Sequence, residues 1–169
     1  LESIVDGTNY KLIIANGFKE LQIDGIEYKK YREYLGNVNV IEFIPMQVYL
    51  FKDSPKDRRK FIDKELSKID KEYLEKLLVY NKLIKQRNEL LKTSDTYKEK
   101  LFEVIDEKLA ELQTYIIAKR KEFLNNLEMN LKEINNEFEI TLKYNSFINE
   151  VSKETILNKY KEVYPRDKE

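Results

Sequence analysis

"SPKDRRKFIDKEL", residues 54–66, is where the chain changes its grammar from strand to helix. Ser54 can accept a hydrogen bond from the free N–H groups of a helix start, and Pro55 carries the fixed φ that suits the first helical position. Asp57 stands where a carboxylate answers both that cap and the positive end of the helix dipole. Phe61, Ile62, Leu66 and Ile69 then recur as one apolar helix face. Upstream, "YKLIIANGFKELQIDGIEYKK" is punctuated by Asn16-Gly17 and Asp24-Gly25, pairs that tolerate positive φ at both central positions of a tight hairpin. They predict a three-stranded antiparallel meander. A short helical or turn-like piece follows from Tyr31 to Leu35, and after Gly36 the run "NVNVIEF" reads as a further strand, closed by Pro45.

Downstream the pattern is helical. "IDKEYLEKLL" opens a second helix with Asp70 as its cap and Leu74, Leu77, Ile84 and Leu91 on one stripe. "KTSDTYKEK" is a turn, and a third pattern runs from Tyr97 to Phe138, about 60 Å if unbroken. Its apolar positions are Ile105, Leu109, Leu112, Ile116, Phe123, Leu127, Leu131, Ile134 and Phe138. With the intervening turn at Lys119 and Arg120 counted, their spacing averages about 3.7 residues, nearer a straight helix than a left-handed coiled coil, which favours a bundle or hairpin over a long arm. "FEITLKY" then reads as a return strand with Phe138, Ile140, Leu142 and Tyr144 on one face, and "SKETILNKYKEVY" as a short helix capped by Ser152. The fold class is therefore α+β. A small antiparallel meander occupies residues 1–52, a helical bundle with one long helix residues 53–138, and a return strand and helix residues 139–169.

Composition narrows the chemistry. The 169 residues carry 31 basic and 31 acidic side chains, so no global field draws the chain to nucleic acid, and any such contact must be a local patch. No Cys and no His are present, which removes thiol and imidazole chemistry and the usual zinc ligands. No apolar run approaches the roughly 18 residues of a membrane span. The four glycines lie in turns and none opens a phosphate-binding loop, so an independent nucleotide hydrolase is not expected. Carboxylates such as Asp63 with Glu65, or Asp106 with Glu107, point to different azimuths of a helix and read as solvated faces. Three basic clusters remain: Arg58, Arg59 and Lys60; Lys82, Lys85 and Arg87; Lys119, Arg120 and Lys121. Each could contact phosphates, hold carboxylates, or simply face water.

The blocks around the opening stretch resemble RecF, the recombination-repair ATPase family of the structural-maintenance-of-chromosomes and ABC type. Ser54, Pro55, Arg58, Arg59, Lys60, Phe61, Ile62 and Asp63 follow that family's pattern. So do Tyr80, Lys82, Ile84, Lys85, Gln86, Arg87 and Asn88, and the earlier "YLGNVNVIEF". "DEKLAELQTYIIAKRKEFLNNL" is similar to the next helix of the family, and "PRDKE" looks like the approach to a segment that follows in it. The chain departs from the pattern at Ile44, Met46, Gln47 and Val48, and Asp53 stands where the family has Gly.

The resemblance implies part of an ATPase head followed by a helical lid, with the phosphate-binding loop upstream and the ABC signature and magnesium motif downstream. The chain itself would hold no cofactor and hydrolyse no ATP, whereas the parent would be a slow DNA-dependent ATPase using ATP and magnesium. It further implies an ATP-dependent homodimer, DNA as a duplex or single-strand/duplex junction, RecO and RecR as partners, and a cytoplasmic, nucleoid-associated setting. On that reading Lys82, Lys85, Arg87, Lys119 and Arg120 are the expected DNA contacts. Arg58, Arg59, Asp63 and Gln47 are expected where lid meets head. The alternative is a helical-hairpin module that pairs with another protein and never touches nucleic acid.

Overall fold

A computed structural model describes residues 1–37, 44–45, 49–50, 52, 54–92, 99–135 and 137–167. The strand expected in "NVNVIEF", the positions of Gln47 and Asp53, and most of the turn "KTSDTYKEK" lie outside the described residues. The chain divides into two compact units, residues 1–71 and 72–169. The first therefore includes the helix after Ser54, and the second includes the segment expected to return toward the head.

In the first unit, β1 (Glu2–Val5), β2 (Thr8–Ala15), β3 (Phe18–Ile23) and β4 (Ile26–Tyr28) form one antiparallel sheet in sequence order. The register closes each hairpin tightly, with Val5 opposite Thr8, Ala15 opposite Phe18 and Ile23 opposite Ile26. All three two-residue turns have positive φ at both positions, 50° and 79° at Asp6-Gly7, 48° and 81° at Asn16-Gly17, and 49° and 81° at Asp24-Gly25. This is the mirror-image turn whose twist matches the strands it joins. The expected meander of three strands is thus corrected to four, because Asp6-Gly7 carries the same signal as the other two pairs.

α1 (Tyr31–Tyr34) is one short turn of helix, and α2 (Pro55–Ile69) starts as its sequence dictates. The Asp57 N–H donates to Ser54 Oγ at 3.3 Å, and the Ser54 hydroxyl donates back to the Asp57 carboxylate at 2.6 Å. Leu66 is buried on the expected face, but Ile69, at the last position before the extended Asp70, is exposed. Asp70 is the single residue between α2 and the next helix, and its N–H donates to the Leu66 carbonyl. Gly36 has φ +86°, and a Cβ placed there would run into the carbonyl oxygen of Lys68 in the last turn of α2. The chain leaving α1 thus passes against the end of α2 at a distance that only glycine allows.

In the second unit, α3 (Lys71–Leu91), whose first residue closes the first unit, is followed by α4 (Glu99–Ile134) and α5 (Lys153–Asp167). α4 is unbroken over 36 residues, about 54 Å at the usual rise. Phe102, Ile105, Leu109, Leu112 and Ile116 are all buried and step by alternating three and four residues. The period is thus locally that of a coiled-coil seam, and the average near 3.7 read from the whole pattern conceals it. A second stripe of α4 holds Ala110 and Ile117, which pack with Ile156 of α5. The apolar face does not continue to the end, since Ile134 and Phe138 are exposed. Ser152 caps α5 as expected: the Thr155 N–H donates to its Oγ, and its own N–H donates to Thr155 Oγ1.

The return strand is not formed. Burial does alternate as the sequence suggests, with Ile140, Leu142, Tyr144 and Ile148 half-buried and their neighbours exposed. The segment runs back along α4, however, with no strand beside it among the described residues. Its backbone is answered by a side chain instead, the Leu142 N–H donating to Glu128 Oε2 at 2.7 Å. We predict that Gly36→Ala lowers stability by about 1–3 kcal/mol, the cost of a strained backbone position, and lowers the melting temperature by several degrees as followed by circular dichroism. An unchanged midpoint would show that the α1–α2 approach is not fixed by this residue.

Candidate nucleic-acid interface

The basic cluster on α3 separates when it is folded. Tyr73, Leu77, Tyr80, Ile84, Arg87 and Leu91 step by alternating four and three residues, so Arg87 occupies a position of the buried seam. Its side chain is only 5% exposed and that of Asp106 on α4 only 9%, with Arg87 Nε 2.7 Å from Asp106 Oδ1. The guanidinium also lies 5.2 Å from the centre of the Tyr160 ring on α5, a favourable position over the π face. The Tyr160 hydroxyl donates to Gln113 Oε1. Burial first, then the neighbouring Tyr80 hydroxyl and the Asp106 carboxylate, push the Tyr160 phenol far above the ordinary tyrosine value, against the pull of Arg87. Tyr160 therefore remains a neutral donor. Arg87, expected at a DNA contact, is instead the charge around which α3, α4 and α5 meet, and the expectation for it is corrected accordingly.

Lys82 and Lys85 stay outside, both exposed and neither with an ion-pair or hydrogen-bond partner among the described residues. The residues one turn from Lys82 are Leu78, Val79, Lys85 and Gln86, so no carboxylate is within helical reach. The triplet on α4 points three ways. Lys119 lies 3.6 Å from Glu122 and 6.0 Å from the centre of the Tyr115 ring. Arg120 donates through Nη1 to the Tyr144 hydroxyl at 3.1 Å. Lys121, named in the third basic cluster but not among the expected DNA contacts, is half-buried and has no partner among the described residues.

Arg58 is half-buried, Arg59 exposed and Asp63 half-buried on α2, while Lys60 is exposed and 3.3 Å from Asp57. Arg58 and Asp63 both take part in further polar contacts. Gln47 lies outside the described residues. Among the described residues no group of carboxylates is placed to hold a metal, and no helix is long and apolar enough to cross a membrane.

Replacing Asp106 by Leu strands Arg87 in the interior, and the expected loss is about 3–5 kcal/mol in urea unfolding. The double variant Arg87→Met with Asp106→Leu should recover most of it, because no charge is then buried alone. A double variant as unstable as the single one would refute this account. A second prediction concerns Glu128, whose carboxylate Lys132 first, and the Leu142 N–H second, hold below the ordinary glutamate range. A depressed folded value stabilises above the unfolded pKa and ceases to do so as pH falls through the folded one. The stability gap between the unsubstituted chain and Glu128→Gln should accordingly be present at neutral pH and close below about pH 4, which paired melting curves would measure.

No family model matches the chain. Curated relatives do. A "DNA replication and repair protein RecF" of Clostridium botulinum (strain Loch Maree) is 38% identical over 122 residues, covering 72% of this chain and 34% of that protein. The RecF of Clostridium botulinum strain Eklund 17B is 35% identical over 164 residues, covering 93% and 45%. That of Clostridioides difficile strain 630 is 37% identical over 153 residues, covering 86% and 40%. Among solved structures, the recombination mediator protein RecF-ATPrS of the RecFOR pathway superposes with a TM-score of 0.81 at 30% identity, over 99% of this chain and 49% of its own. A RecF-ATP structure of the same pathway gives 0.77 at 32% identity, over 95% and 46%. The chain spans less than half the length of each of these proteins. With a four-stranded meander and a helical unit that follow a solved RecF along nearly their whole length, the chain belongs to the RecF family.

Proposed function

We propose that this chain is the lid-bearing part of a RecF-like protein of DNA recombination and repair, and that its helical unit contacts DNA. The observation that carries the reading is the exposed pair Lys82 and Lys85, without carboxylate partners among the described residues, on a helix of a RecF-family protein. Two ammonium groups one turn apart suit adjacent phosphates of a backbone, a contact that carries affinity without base specificity. The relatives supply the setting: RecF solved with ATP in the RecFOR pathway supports ATP binding, and RecO and RecR as partners, for the larger protein. Magnesium, ATP-dependent pairing of two copies, a slow ATPase and a cytoplasmic location belong to the same proposal. Within it, Arg58, Arg59 and Asp63 are assigned to the join of lid and head, and Lys119 and Arg120 contribute to the DNA side mainly by shaping their neighbourhood.

Fluorescence anisotropy of a labelled duplex and a gapped duplex with this chain tests the DNA reading. Lys82→Glu with Lys85→Glu should weaken both, and should flatten the dependence of log affinity on log salt by roughly 0.9 for each phosphate no longer engaged. No binding by the unsubstituted chain even at low salt would favour a module that pairs with protein alone.

A further inference from the structure

A cleft of about 310 Å³ lies between α4 and the extended segment that runs back along it, lined by Lys121, Leu124 and Asn125 on one side and residues 142–145 on the other. We infer that this cleft is an anion site for a phosphate of a nucleic-acid backbone, with Lys121 and Lys143 as its charges; the inference rests on the DNA reading above and adds a second place of contact. The charge pattern around it is the first argument. Five lysines of the helical unit are neutralised within a turn: Lys76 by Glu72, Lys108 by Glu111, Lys119 by Glu122, Lys132 by Glu128 and Lys159 by Glu162. Lys121 has Ile117, Ala118, Leu124 and Asn125 at those positions, and no acid. Neither it nor Lys143 has an ion-pair or hydrogen-bond partner among the described residues. Two carboxylates of the same stretch of α4 are already engaged, Glu122 by Lys119 and Glu128 by Lys132 and the Leu142 N–H.

The second argument is that the wall opposite α4 is fixed. Leu142 is held through its N–H to Glu128, and Tyr144 through its hydroxyl to Arg120, so Lys143 is pinned on both sides by bonds to α4. A site held in place before binding loses less entropy when a ligand arrives. Two unneutralised ammonium groups beside the side-chain amides of Asn125 and Asn145 offer charge and directional donors together, the chemistry a phosphodiester oxygen needs. Arg120 acts here as a positioning residue: its guanidinium is engaged by Tyr144.

The test uses the chain as it stands, with Lys121→Gln and Lys143→Gln combined, and a labelled duplex as probe. Both side chains lack polar partners among the described residues, so circular dichroism and the melting midpoint should be unchanged. Duplex affinity at low salt should fall on the order of tenfold per lysine, with the salt slope flattened by about 0.9 for each, and by clearly more than for Lys161→Gln on the exposed face of α5. Binding retained with an unchanged slope overturns the cleft while leaving the DNA reading intact. If the unsubstituted chain binds no duplex, both fall together. An equal loss of binding to poly-glutamate, an acid without phosphate, assigns the cleft to carboxylates and overturns the proposal as well.

Discussion

An arginine and an aspartate removed from water together set the geometry of the helical unit. Desolvating Arg87 and Asp106 costs several kcal/mol for each ion, and their contact at 2.7 Å recovers this only in one alignment of α3 against α4. The apolar residues of both seams repeat by threes and fours, so a slip of seven residues would still bring apolar side chains together. In such a slip toward the C-terminal end of α4 Arg87 would face Gln113 in place of Asp106, leaving a buried guanidinium without its carboxylate. The pair therefore acts on specificity more than on net stability, excluding registers that hydrophobic burial alone would accept. Tyr160 extends the constraint to α5, its ring against the guanidinium and its hydroxyl on Gln113.

The surface follows from that choice. Because α3 turns Arg87 inward, the remaining charges of its cluster, Lys82 and Lys85, are carried on the solvent side. On α4 the same rotation of about 100° per residue sends Lys119, Arg120 and Lys121 to three different surroundings. Three adjacent basic letters are consequently not a basic patch. What distinguishes a lysine free to bind is the absence of an acid three or four residues away, a property of spacing. Most lysines of the helical unit fail that criterion; Lys82, Lys121 and Lys161 meet it, and Lys85, although Glu89 is four residues on, has no ion-pair partner among the described residues.

Much of the architecture was legible because it depends on local chemistry. Asn16-Gly17 and Asp24-Gly25 announce their turns, Ser54 and Ser152 their helices, and the resemblance to RecF agrees with the superposition. Asp6-Gly7 was equally readable. The buried role of Arg87 was written in its spacing, three after Ile84 and four before Leu91, yet a charged residue in a seam is recognised only when a partner such as Asp106 is known to face it. Residues 138–144 show the opposite limit. Their alternation gave the half-buried side of Ile140, Leu142 and Tyr144 but not the exposure of Phe138, and periodicity says nothing of what supplies the hydrogen bonds. Here α4 and the Glu128 carboxylate take the place of a neighbouring strand. The cleft at Lys121 and Lys143 was hidden for the same reason, since its two sides join only once that segment lies on the helix.

The proposed contacts also bound how strongly this chain can hold DNA. Lys82, Lys85, Lys121 and Lys143 would neutralise four phosphates at most, and the chain has no net charge to add a long-range attraction. Four contacts give a slope of log affinity on log salt near −3.6, so raising salt from about 50 to 200 mM would weaken binding roughly a hundredfold. Such a contact set is marginal at physiological ionic strength. A stable complex then needs further phosphate contacts, from the rest of a longer RecF-like protein or from a second copy. Any event that brings two copies together on one duplex would double the number of phosphates engaged and raise the apparent affinity far more than any single lysine could. On the proposed reading, in a neutral chain with few uncompensated cations, assembly would be the step that turns DNA binding on and off.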